Sequence, residues 1–251
     1  MIIDTNANVG PTIYDDARFE FDPSLETLER RLADAGIDKA IVAPLKPPQY
    51  EFNEVNEQLS ERLAGRDNFY GIGRIDPRQD DAAEKADRAL NEYNLHGLKL
   101  HPWEETFEIT SSFVTPALET AATYDVPVWI HSGYYGVSNA LSVREVAHSF
   151  PKLPMVVTHG GHLNISGLSL PDATKLRDET ENTYFELSGV YRHDFIQQSF
   201  DKIGAERILF GTNAPYFNPK VELSRIVDAD ITSDEKETAL SETALSLLNI
   251  D

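Results

Sequence analysis

Residues 24–45, SLETLERRLADAGIDKAIVAPL, decide the fold. Ser24 is placed to cap a helix and Gly36 to stop it, and the short connection AGID leads straight into an apolar run, DKAIVAPL. A helix that hands over so quickly to a buried strand is half of a βαβ unit. The same handover recurs outward in both directions. The β-rich runs MIIDTNAN, DKAIVAPL, NFYGIGRI, HGLKLH, VPVWIHS, LPMVVTH, TYFELSG and RILFGTN alternate with helical patterns near 51–65, 79–93, 115–124, 142–150, 171–179 and 192–203. A tail over 220–249 supplies one or two closing helices. Eight strands, each followed by a helix, is the count of a (β/α)8 TIM barrel, whereas a doubly wound sheet usually has about five to seven. The sequence therefore predicts an α/β fold, a single (β/α)8 domain over residues 1–251.

Loop lengths pick the functional face. Connections into strands are short (AGID, GRDN, YNL, YDVP, GAER), while those leaving strands over 9–22, 102–114, 133–141 and 160–170 are long. Barrel sites are built from such βα loops at the C-terminal strand ends. These loops carry Tyr14, Phe19, Phe21, Trp103, Phe107, Phe113, Tyr134 and Tyr135, which predicts a partly apolar pocket. GIGRIDP is not a dinucleotide fingerprint, because it lies inside a strand and lacks a third glycine and a following helix.

Lys and Arg number 22 against 42 Asp and Glu, a formal charge of −20. Such a surface repels phosphate backbones and anionic membranes, so neither nucleic acid nor a membrane is an expected partner. The acids are scattered through amphipathic segments and resemble the composition of extreme halophiles, whose molar salt shortens the Debye length to about 3 Å. With no cysteine the chain has no disulfide, thiolate site or cysteine nucleophile, as suits a reducing cytoplasm. Met1 runs into IID without a basic segment, and no apolar run approaches the ~18 residues of a membrane helix. The expectation is a soluble cytoplasmic protein that meets a small-molecule substrate, with a homodimer as its assembly if it self-associates.

The last residues of the strands form a polar census: Asn6 and Asn8, Arg74, Lys99 and His101, His131, His159, Glu186 and Ser188, and Asn213. In a closed barrel these ends converge. Asn6 and Asn8 are two apart and share a strand face.

The segments DTNANVG, GLKLHPW, VWIHSG, VVTHGGH and LFGTNAP, in this order from residue 2 to about 219, resemble the amidohydrolase superfamily, specifically its amidohydrolase 2 group of metal-dependent hydrolases and decarboxylases. The resemblance implies a metal, zinc by expectation, surrounded by two histidines of strand 1, one each of strands 5 and 6, and an aspartate of strand 8 that moves the proton of the metal-bound water. His131 and His159 match that pattern. Asn6, Asn8 and Asn213 replace the other three groups.

An amide oxygen is uncharged and serves zinc poorly, and calcium or magnesium would want carboxylates as well. Without a strongly bound ion, water stays far too weak an acid to ionise near neutrality, and Asn213 cannot act as a base. The expected cofactor is therefore none, or a weakly held divalent metal on His131 and His159. Candidate catalytic groups are His131, His159, Lys99 and Asn213, with imidazoles able to exchange protons near neutrality and Lys99 able to bind a carboxylate or polarise a carbonyl. Asn6, Asn8, Arg74, His101, Trp103, Tyr134 and Glu186 are candidate substrate contacts, Arg74 as a two-pronged carboxylate clamp and Glu186 as the best remaining carboxylate. Three readings compete. One is a hydrolase, a lactonase or a decarboxylase acting on a small carboxylated or cyclic substrate with an eroded metal site. Another is an inactive homologue that binds a metabolite or partner. The third is a metal enzyme with a rearranged shell that recruits His101, His162 or Glu186.

Overall fold

The computed structural model describes residues 1–13, 22–162 and 169–250. Strand β1 (Ile3–Val9) is buried at every position, as a strand covered on both faces must be. It pairs in parallel with β2 (Lys39–Pro44), which pairs with β3 (Phe69–Gly71). Beyond Ile72 the same run resumes as β4 (Gly73–Arg74), followed by β5 (Leu98–Leu100), β6 (Val128–Ile130), β7 (Met155–Val157), β8 (Thr183–Glu186) and β9 (Ile208–Leu209), each parallel to the one before. NFYGIGRI is thus one barrel strand in two pieces, held across the break by Ile72 N–H donating to the Val42 carbonyl at 2.9 Å. The ring closes where Thr5 N donates to the Phe210 carbonyl at 2.9 Å and Asn8 N to the Ala214 carbonyl at 2.8 Å.

The outer layer is helical: α1 (Leu25–Ala35), α2 (Phe52–Leu63), α3 (Ala82–Asn91), the short α4 (Pro102–Glu105), α5 (Thr115–Thr123), α6 (Ala140–Ser149), α7 (Leu170–Glu179), α8 (His193–Ile203), α9 (Pro219–Val227), α10 (Ser233–Glu237) and α11 (Thr243–Leu248). Ser24 caps α1 by accepting from Thr27 N, and Gly36 ends it at φ 74°, where a side chain would be strained. Most of the apolar core lies between helices and strands. A second cluster fills the barrel: Ile3, Ile41, Ile72, Trp129, Val156 and Leu209, joined by Ala244, Leu247 and Leu248 of α11. Side chains alternate along a strand, so the residues two beyond Ile72 and Trp129, Arg74 and His131, share those inward faces nearer the C-terminal ends. Apolar filling below and polar groups above is how one sequence pattern makes both a core and a mouth. No described helix is long and apolar enough to cross a membrane.

Candidate active site

At the C-terminal ends of the strands a cavity of about 270 Å3 is lined by His101, Trp103, Glu104, His131, Tyr134, His159, Asn213, Tyr216 and Phe217. Trp103 and Tyr134 stack with centroids 4.8 Å apart, and the rings of His101 and His131 stack at 3.8 Å. His131 meets His159 edge to face at 4.7 Å. Trp103 and Tyr134 come from the long βα loops, whereas Tyr216 and Phe217 follow the eighth strand. Tyr135 and Phe113 are exposed and do not line the cavity, Phe107 is core, and Tyr14, Phe19 and Phe21 lie outside the described residues.

His159 and Asn213 both adopt the left-handed region, at φ 57° and φ 49°. Asn and His tolerate this conformation better than most residues, and such backbone strain persists where surrounding contacts enforce it. For His159 those contacts centre on Glu186. Its carboxylate accepts from Asn6 Nδ2 at 2.9 Å, from Ser188 Oγ at 2.9 Å, from Ser188 N at 2.5 Å and from His159 N at 3.3 Å. Gly211 makes room for it, since a Cβ there would stand 2.3 Å from Glu186 Oε1. Burial pushes Glu186 up to about 7 against the lowering effect of these donors.

The tautomer of His159 follows from its neighbours. Nδ1 lies 2.9 Å from the Ser188 carbonyl oxygen, which can only accept, so Nδ1 carries the proton. Nε2 is left bare, buried and without a partner among the described residues. Burial first, then the charge of Lys99, brings the ring down to about 4, so it is neutral at pH 7. His131 has an unpartnered Nδ1 and is held well below its ordinary range by burial and then by His159. His101 Nδ1 accepts from Glu104 N at 3.2 Å, and burial and the charge effect of His131 hold it low as well.

Beneath the cavity the remaining candidates are bonded to protein groups. Lys99 Nζ donates to Asn8 Oδ1 at 2.6 Å and Asn6 Oδ1 at 3.2 Å. Asn8 Nδ2 donates to Asn213 Oδ1 at 3.2 Å and to the Ala214 carbonyl at 3.0 Å, and among the described residues Asn213 Nδ2 has no hydrogen-bond acceptor, so its hydrogens can be offered to a ligand. Burial and then Arg74 bring Lys99 down to about 7. Arg74 pairs with Glu104 and, at 2.6 Å, with Glu105. The expectation of a two-pronged clamp on substrate is therefore corrected, because α4 directly after β5 supplies the carboxylates that neutralise this guanidinium. Asn6, Asn8, Lys99 and Glu186 likewise do not line the cavity, as their polar atoms bind one another. His101, Trp103, His131, Tyr134, His159 and Asn213 do. Glu104, Tyr216 and Phe217 were not singled out from sequence; their signal is position, directly after HPW and after TNAP at two strand ends.

The amidohydrolase family model matches residues 51–250, most of the chain. The chain belongs to the amidohydrolase family. Among solved structures it is similar to 5-carboxyvanillate decarboxylase from Sphingomonas paucimobilis, at 17% identity and a TM-score of 0.75 over 100% of this chain and 99% of that one. It is similar to 2,6-dihydroxybenzoate decarboxylase from Rhizobium, at 17% identity and TM-score 0.76 over 99% of both chains. A dihydroxybenzoic acid decarboxylase from Polaromonas sp. JS666, with bound manganese and the inhibitor 2-nitroresorcinol, matches at 18% identity and TM-score 0.76 over 99% of this chain and 96% of that one. At such identities the likeness establishes the shared barrel fold. No curated protein matches.

This amidohydrolase's donor set does not fit a divalent ion. The oxygens of Asn6 and Asn8 face Lys99, and that of Asn213 faces Asn8. Two imidazole nitrogens, one each on His131 and His159, are what remains, against the three or more ligands a catalytic metal needs. Among the described residues no group of three or more His, Asp or Glu side chains is arranged to hold a metal.

Proposed function

We propose that this amidohydrolase is a metal-independent hydrolase, of the lactonase kind, acting on a small cyclic or carboxylated substrate, and that its metal site is eroded. The bare Nε2 of His159 beside the cavity carries this reading, since a neutral imidazole fixed in that tautomer has its lone pair free, a weak base at neutral pH and a strong acid toward a leaving oxygen once protonated. As water attacks the ester carbonyl, its proton passes to Nε2. The developing oxyanion meets the Asn213 amide hydrogens, a donor already in place before reaction. When the ring C–O bond breaks, the imidazolium returns its proton to the leaving oxygen, giving a hydroxy acid. His131 holds water or substrate with its own spare nitrogen, and the Trp103–Tyr134 stack supports a planar ring.

Decarboxylation is the second reading, favoured by the likeness to decarboxylases of aromatic acids and by that aromatic wall. It asks first for a proton donor to ring carbon, and Nε2 bears none, so hydrolysis has the better geometric support.

The test is a panel of small lactones and hydroxybenzoates with protein purified at high salt without chelator, together with metal analysis. Lactone turnover should survive chelation, and His159→Ala should lose about 10²- to 10⁴-fold in kcat while ligand affinity changes little. Binding without turnover by the unmutated protein would establish the non-catalytic reading instead. Stoichiometric metal would overturn the metal-free mechanism.

A further inference from the structure

We propose that the Lys99 amino group is the permanent occupant of the centre where the resemblance places a divalent ion, and that Asn6 and Asn8 are there to hold it. The proposal rests on the metal-free part of the proposed function and is independent of the chemistry assigned to His159.

The orientation of both amides is forced. Asn8 Nδ2 faces two oxygens, Asn213 Oδ1 and the Ala214 carbonyl, and the carbonyl can only accept. Reversing this amide would set oxygen against oxygen. Asn6 Nδ2 likewise faces Glu186 Oε2 at 2.9 Å and Ser188 Oγ at 3.4 Å. Both amide oxygens therefore turn inward, toward the same nitrogen. Lys99 is 1% exposed and, among the described residues, no carboxylate oxygen lies within ion-pairing distance of its Nζ. Its acceptors are the two amides instead.

A buried amino group needs acceptors, and two neutral carbonyl oxygens supply them without requiring a proton of their own. Histidine at either position would offer a single lone pair and a single N–H, so one that accepted from Lys99 could donate to only one of the two acceptors that each amide nitrogen reaches. Asparagine at 6 and 8 is thus matched to an amine on one side and to fixed acceptors on the other. The chain Lys99–Asn8–Asn213 runs from this nitrogen to the cavity, so the occupant helps aim the Asn213 donor at a ligand. It does this as a positioning residue, through Asn8.

Thermal melting of the full chain tests this without any substrate. Lys99→Ala removes three methylenes and the nitrogen, a gap that n-propylammonium restores. The variant should melt lower by about 5 °C or more, and n-propylammonium should return at least half of that loss while tetramethylammonium, which has no N–H, returns none. The unmutated protein should show no shift with manganese or zinc and should carry neither metal after purification. A folded Lys99→Ala protein that ignores n-propylammonium would overturn the proposal, as would a melting temperature of the unmutated protein that rises with either metal. If Lys99→Ala does not fold, Lys99→Met keeps the volume without the donors: a melting temperature equal to that of the unmutated protein refutes the role, and a loss of about 5 °C or more supports it. Failure here, with His159→Ala still abolishing turnover, would remove the amine's role and leave the hydrolase reading standing.

Discussion

His162 lies three residues beyond His159, and both its ring nitrogens are buried without a hydrogen-bond partner among the described residues. It packs edge to face on Phe195, with centroids 4.6 Å apart. Burial, and then the charge of Arg192, brings it down to about 4. In the unfolded chain the ring titrates near its ordinary 6.5, so between about pH 4 and 6.5 the unfolded state binds more protons than the folded one. Stability is lost as the pH falls through that window and is fully present above it. We expect His162→Leu to flatten this dependence: the difference in urea-unfolding free energy between the two proteins should shift by about 2 kcal/mol in favour of the variant from pH 6.5 to pH 5. Parallel curves for the two proteins would rule out an uncharged buried ring. Such a residue looks like any loop histidine in the sequence, because nothing local announces that α8 covers it.

At the scale of elements, the broken third strand is the feature that most needs support. β4 is two residues long, and α2 supplies what a longer ladder would: Asn56 Nδ2 donates to the Arg74 carbonyl at 2.9 Å while Asn56 Oδ1 accepts from Arg74 N at 2.8 Å. The side chain imitates a neighbouring strand and fixes the backbone of the residue whose guanidinium ties down α4. Asn56→Leu leaves two buried backbone groups unsatisfied, and we expect it to cost about 2 to 4 kcal/mol, measured by denaturant unfolding. A loss below about 1 kcal/mol would mean that water or a shifted strand replaces the amide. In the sequence, Asn56 reads as one more polar position of an amphipathic helix. The helix itself was legible from its periodicity, but the use of this side chain depends on which strand the helix packs against.

For the whole molecule, charge is the governing quantity. A net −20 leaves like charges close together over much of the surface, and ion pairs such as Arg88–Glu84 and Arg144–Glu179 offset little of that excess. Raising potassium chloride from about 0.1 M to about 1 M shortens the Debye length from about 10 Å to about 3 Å, which removes most of the repulsion. The melting temperature should rise by roughly 5 °C or more across that range. A flat or falling curve would show that repulsion is already compensated.

The sequence alone determined the alternation of eight barrel strands with helices, and with it the barrel, because periodicity and stop signals are local and eight βα handovers admit few arrangements; the short α4 after β5 and the break in the third strand were not legible in it. It also determined which residues lie at the strand ends, since strand alternation fixes the face of each. What the tertiary structure decided is which of those residues meet a ligand. Arg74 and Lys99 look alike in one dimension, as cations ending strands. In three dimensions one is neutralised by α4 and the other is held by Asn6 and Asn8, while His131, His159 and Asn213 stand at the cavity. Hydrogen-bond partners in this barrel can be more than two hundred residues apart, as Asn8 and Asn213 are, and only closure of the ring brings them within reach.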